Sequence, residues 1–146
     1  MYSVRRVLTC LGLVAAGWAV APALAAAPPA ELKSFSCQTS RDPASRQVSI
    51  TAVMRPRPGT RHMELKFELL RKTTGRFHRV HARGLDTWVH PNPPDLGQRP
   101  GDNWTVGKPV LDLPAPAIYR FKVIFRWDLA TGRIDTALYS PSCAQT

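Results

Sequence analysis

Acidic side chains are scarce in this 146-residue chain. Ten aspartates and glutamates stand against twenty lysines and arginines, a formal charge of +10 at neutral pH. Paired carboxylates for acid–base work are correspondingly few, and Asp86, Asp95 and Asp102 lie in or beside a proline- and glycine-rich stretch where turn chemistry accounts for them. Cysteine is also sparse, with three in all and no Cys-x-x-Cys pair. That absence, with no carboxylate cluster beside it, argues against a metal centre. No Gly-x-Ser-x-Gly elbow and no spare cysteine nucleophile occur, so the common signatures of nucleophilic catalysis are missing. No segment keeps a helical apolar period. No apolar run reaches the ~20 residues that a membrane-spanning helix needs. These absences predict neither an enzyme nor a cofactor.

The longest apolar run, Val7 to Val20, follows Arg5 and Arg6 and precedes Pro22 and Ala23-Leu24-Ala25. A basic start, a short apolar middle and an A-x-A site are the parts of a secretory signal. The expected cleavage follows Ala25. The Arg5-Arg6 pair also fits a twin-arginine signal, although ordinary secretion is the reading adopted. Residues 1–25 are thus assigned as signal, 26–30 as a flexible Ala/Pro-rich start and 31–146 as one domain. Cys10 leaves with the signal, and no cysteine or apolar tail for lipid anchoring follows. Cys37 and Cys143 remain near the two ends of the mature chain. An even pair in an exported protein predicts a disulfide, worth roughly 4–5 kcal/mol of loop-closure entropy.

What the mature chain does contain is period-two alternation. Val48, Ile50, Ala52 and Met54 share one face of Gln47–Arg55. Met63, Leu65, Phe67 and Leu69 share one face of His62–Arg71. Tyr119, Phe121, Val123, Phe125 and Trp127 share one face of Ile118–Asp128. Shorter strands are expected at Glu31–Cys37, Arg76–Ala82 and Arg133–Ser140, with an irregular one through Trp104–Val106 and Pro109–Leu113. Turns fall at Thr73-Thr74-Gly75 and Ala130-Thr131-Gly132, and Gly84–Asp102 reads as loop. About seven strands at short spacing predict an all-β antiparallel sandwich.

The segment Leu113-Pro114-Ala115-Pro116-Ala117-Ile118-Tyr119-Arg120-Phe121-Lys122-Val123 resembles the E–F corner of immunoglobulin and fibronectin type III domains. There a tyrosine two residues before an inward strand F residue bonds back to the upstream backbone. Tyr119 and Phe121 match those positions. The resemblance implies an immunoglobulin-like sandwich. The chain departs from it in lacking a B–F disulfide, since Phe121 stands at the strand F position, and a strand C tryptophan, where Phe67 stands in. The Cys37–Cys143 bond is expected instead to tie the first strand to the last, lying side by side. Such folds host adhesion, accessory and carrier roles, so the resemblance leaves function open.

Two surface features are candidates for binding. Arg71, Lys72, Arg76, Arg79 and Arg83 form a basic run without an intervening acid, and Arg55, Arg57 and Arg61 cluster at the turn before it. The alternative use of such charge is to protect a sheet edge from pairing. If strands C and F are neighbours, Glu64, Lys66 and Glu68 face Arg120, Lys122 and Arg126 and neutralise part of the charge. The second feature is the Gly84–Asp102 loop, flanked by Trp88 and Trp104, which either offer a recognition site or cap the sandwich. Asn103-Trp104-Thr105 also fits a glycosylation sequon. His78 and His81 lie three apart and point to opposite faces of a strand, so no chelate with His62 or His90 is expected. The expectation is a secreted, monomeric, non-catalytic binding or envelope-associated module. Its partner is an extracellular protein or, alternatively, an anionic polymer such as nucleic acid or acidic glycan.

Overall fold

The computed structural model describes residues 25–146. The expected signal segment lies outside the described residues except for Ala25. Nine strands follow in order: β1 (Ala30–Gln38), β2 (Gln47–Met54), β3 (Thr60–Lys72), β4 (His78–Val80), β5 (Trp88–Val89), β6 (Trp104–Leu111), β7 (Ala117–Leu129), β8 (Gly132–Tyr139) and β9 (Cys143–Gln145). The only helical element among the described residues is a 3-10 turn at Pro43–Ser45, capped by the Asp42 side chain. One sheet has the order β1-β2-β6. The other runs β4-β3-β7-β8, with β5 also on β3 and β9 also on β7. Every pairing is antiparallel.

The alternating apolar residues of β2, β3 and β7 are buried between the two sheets. Each fully buried large side chain there contributes roughly 1.5–3 kcal/mol of apolar transfer free energy. Tyr119 is in this core, and its hydroxyl donates to the Pro114 carbonyl at 2.7 Å, closing the corner that enters β7. Trp127 is fully buried beside Phe125. Its Nε1–H donates to the Arg55 carbonyl at 2.8 Å and fixes the turn between β2 and β3.

Several elements differ from the sequence reading. The irregular segment from Trp104 is one continuous strand, β6, despite Gly107 and Pro109. It pairs only with β2, and an edge strand tolerates a proline that cannot donate to a second neighbour. The return strand after the first hairpin shrinks to His78–Val80, and the loop that follows contains β5, which pairs with Leu65 and Lys66. The last strand breaks at Ser140–Ser142 into β8 and β9. At the break, Ser140 Oγ accepts from the Phe121 N–H at 2.8 Å, while the Ser140 N–H donates to the Phe121 carbonyl at 3.0 Å.

The Cys37–Cys143 disulfide is present, with Cα atoms 5.5 Å apart. It does not join strands lying side by side in one sheet. β1 ends one sheet and β9 lies along the outer edge of the other, so the bond clips the two layers together at that side. Gln145, also buried, reinforces the clip by donating from Nε2 to the Gln38 carbonyl at 3.0 Å.

Candidate anion-binding surface

The outer face of the β3–β7 sheet carries charge on almost every row. At its centre is Glu68, only 1% exposed. Its Oε1 lies 3.3 Å from Lys66 Nζ and 3.2 Å from Arg79 Nη2, and its Oε2 lies 3.3 Å from Lys122 Nζ. Burial alone pushes this carboxyl up. The Lys66, Lys122 and Arg79 cations outweigh that and hold it below its ordinary value. Arg79 also reaches Asp86 (3.4 Å), which His81 approaches at 3.2 Å. One row further on, Arg126 forks onto Asp135 through Nε (2.9 Å) and Nη2 (2.7 Å) and approaches Glu64 at 3.9 Å. Arg133 closes on Asp128 at 2.6 Å. The register sets Glu64 opposite Arg126 and Glu68 opposite Lys122. Neighbouring strands thus neutralise this half of the sheet.

Trp88, half-buried, belongs to that neutralised half. Arg126 lies 3.8 Å and Lys66 5.0 Å from its ring centroid. Trp104 does not join it. The pairing of Trp104 with Met54 turns its side chain inward, where it is 8% exposed and part of the core. The two tryptophans therefore form no common surface.

The half of the sheet nearest the β3–β4 turn is different. Phe77 lies under two cations, Arg120 at 4.1 Å and Lys72 at 5.3 Å. Arg120 also covers the ring of Tyr139 at 4.9 Å, and Tyr139 is 52% exposed. Lys72, Phe77, Arg120 and Tyr139 thus make a ladder of alternating cations and rings. Neither cation forms an ion pair among the described residues. Arg76 is exposed in the adjoining turn. No family model matches the chain, and neither a curated protein nor a solved structure matches it.

The structure divides the basic run accordingly. Lys72 and Arg76 lie at the ladder, and Arg79 is held by Glu68 and Asp86. Arg83 is exposed in the loop between β4 and β5. Arg71 points to the other side of β3, where it lines a groove of about 210 Å³ with Leu69, Val80, Leu113 and Tyr119. Arg120 and Tyr139 were not in the sequence-derived site. They come from β7 and β8, and the placing of Arg120 between Phe77 and Tyr139 depends on strand neighbours that no local pattern reveals. The four histidines are scattered, and among the described residues no three His, Cys, Asp or Glu side chains gather as metal ligands would.

Proposed function

We propose that this chain is an exported, non-catalytic binding module of immunoglobulin-like or fibronectin type III-like topology that holds an acidic polysaccharide on the Lys72–Phe77–Arg120–Tyr139 ladder. The strand grouping supports the topology. With β1, β2 and β6 lettered A, B and E, and β3, β7 and β8 lettered C, F and G, the chain follows the A-B-E and C-F-G grouping of such sandwiches. The bond from Tyr119 to Pro114 supports it as well. The disulfide fits an oxidising space outside the cytoplasm.

The observation that carries the ligand class is the contrast between the two halves of one sheet face. Where carboxylates are present the cations are consumed, and around Phe77 and Tyr139 the cations Lys72 and Arg120 have no carboxylate partner among the described residues. Phe77 already bears two cations and Tyr139 one, so these rings are poorly placed to stack nucleobases. A chain with regularly spaced anionic groups, lying across the sheet, answers the unpaired charge better. The test is a titration of the purified protein with a polyuronate, a neutral glucan and a single-stranded oligonucleotide at several salt concentrations. Binding to the polyuronate is expected to weaken steeply with salt. The Lys72→Ala, Arg120→Ala double variant should lose roughly tenfold or more in affinity, about 1.4 kcal/mol. Salt-independent binding, tighter oligonucleotide binding or an unaffected variant would count against this reading.

A further inference from the structure

A cleft of about 660 Å³ opens at the opposite end of the sandwich from the ladder, between the Arg55–Thr60 turn and the Gly97–Asn103 loop. That volume lies in the range of small-molecule sites, roughly 300–1,000 Å³. Both walls are held in place. In the turn, Thr60 Oγ1 donates to the Arg57 carbonyl at 2.7 Å and accepts from the Arg57 N–H at 2.8 Å. The Ala130 N–H bonds to the Gly59 carbonyl at 3.1 Å. In the loop, Asp102 Oδ2 accepts from the Gly97 N–H at 2.8 Å and the Arg99 N–H at 3.2 Å. Gln98 Nε2 donates to the Arg61 carbonyl at 3.2 Å and ties the loop to β3. Gly97 has φ +99° and sits so close to Met63 that a Cβ would fall 2.4 Å from its methyl group.

Three arginines line this cleft, and they differ in what they hold. Arg55 is engaged by Glu31 at 3.1 Å and by the Pro28 carbonyl at 2.8 Å. Arg99 approaches Asp95 at 3.9 Å. Arg57 forms no ion pair among the described residues, and its Nε is buried with no hydrogen-bond partner. Its guanidinium lies 4.6 Å from the centroid of the Trp127 ring. Contact with an aromatic ring restricts the guanidinium, and its planar fork of donors suits an oxyanion. Asp102, the one carboxylate on the cleft wall, is already occupied by two backbone N–H groups.

We infer that this cleft is a second binding site, for a small molecule bearing a carboxylate or phosphate group, and that Arg57 anchors the oxyanion. The inference stands apart from the ladder, which uses other residues at the other end of the domain. The test titrates the purified protein with galacturonate, glucose 6-phosphate and glucose, reading heat and the Trp127 indole N–H resonance. At least one of the two anions is expected to bind and shift that resonance, with the pair distinguishing carboxylate from phosphate, and glucose is expected to do neither. Arg57→Ala should lose roughly tenfold or more in affinity, and Arg57→Lys should recover only part of it because a lysine has no fork. The resonance shift in the unmodified protein tests the site even if a variant folds poorly. If neither anion shifts the indole signal, or Arg57→Ala binds as well as the parent, the site is refuted. It is equally refuted if affinity disappears in Lys72→Ala, Arg120→Ala and survives in Arg57→Ala.

Discussion

At Glu68 one buried carboxylate is shared by Lys66, Arg79 and Lys122. Removing a charge from such a site costs more than the pairs contribute, because the cations left behind then repel one another around an uncharged group. Glu68→Gln keeps the shape and deletes the charge. It is expected to lower stability by about 2 kcal/mol, measured as a shift in the urea midpoint at neutral pH. The pH dependence has a definite sign. Glu68, Asp128 and Asp135 are each held below their ordinary values by neighbouring cations. For a depressed carboxylate, the stabilisation is complete above the unfolded pKa, about 4. It is lost as pH falls through the lower folded value. The thermal midpoint should therefore hold from pH 7 to about 5 and fall steeply below about 4. Glu68→Gln should make that acid-side fall shallower. An equally steep fall in the variant would show that Glu68 is not among the groups linked to it.

β2, β3 and β7 were legible in the sequence because a strand with one buried face must alternate, and in these three every inward position is apolar over four or five repeats. β6 was not. Lys108 takes an inward position between Val106 and Val110, and Gly107 and Pro109 interrupt the pattern. Trp104 therefore read both as the start of that irregular strand and as the flank of the Gly84–Asp102 loop, and it is the first inward residue of an edge strand. β5 escaped because two residues pairing inside a proline-rich segment leave no period to detect. Both candidate sites share this difficulty. Arg57 meets Trp127, and Arg120 meets Phe77 and Tyr139, through contacts that depend on how sheets pair and ends fold over. The corner before β7 was legible because its chemistry is local: Tyr119 and Pro114 are five residues apart. Tyr119→Phe keeps the packing but leaves the Pro114 carbonyl without its donor. It is expected to cost about 1–2 kcal/mol, seen as a lower urea midpoint with an unchanged slope. A change in slope would mean that the denatured or native ensemble had changed, beyond the loss of one bond.

Across the whole domain the two long sides of the sandwich are closed differently. On one, β1 meets β8 and β9, and the disulfide crosses between layers. On the other, Val110 and Leu111 of β6 share a groove with Val80 of β4, and the inward Lys108 projects over Phe67, its Nζ 6.0 Å from the ring centroid. β1 contributes little apolar burial of its own: five of its nine residues are exposed, and a bulge between Lys33 and Ser36 breaks its register with β2. Its attachment should depend on the sulfur bridge more than the β3–β7 pair does. The bridge closes a sequence separation of 106 residues, which in the chain-entropy account restricts the unfolded chain by roughly 4–5 kcal/mol. Cys37→Ser with Cys143→Ser should therefore lose most of that amount in urea unfolding while keeping a β-type circular dichroism spectrum. Hydrogen exchange locates the loss. Amides of β1 and β9 should lose protection through local opening, and those of β3 and β7 should fall only as far as the global stability falls. If β1 stays as protected as β3 in the double variant, the clip is dispensable for holding that edge, and apolar contact between the layers suffices there.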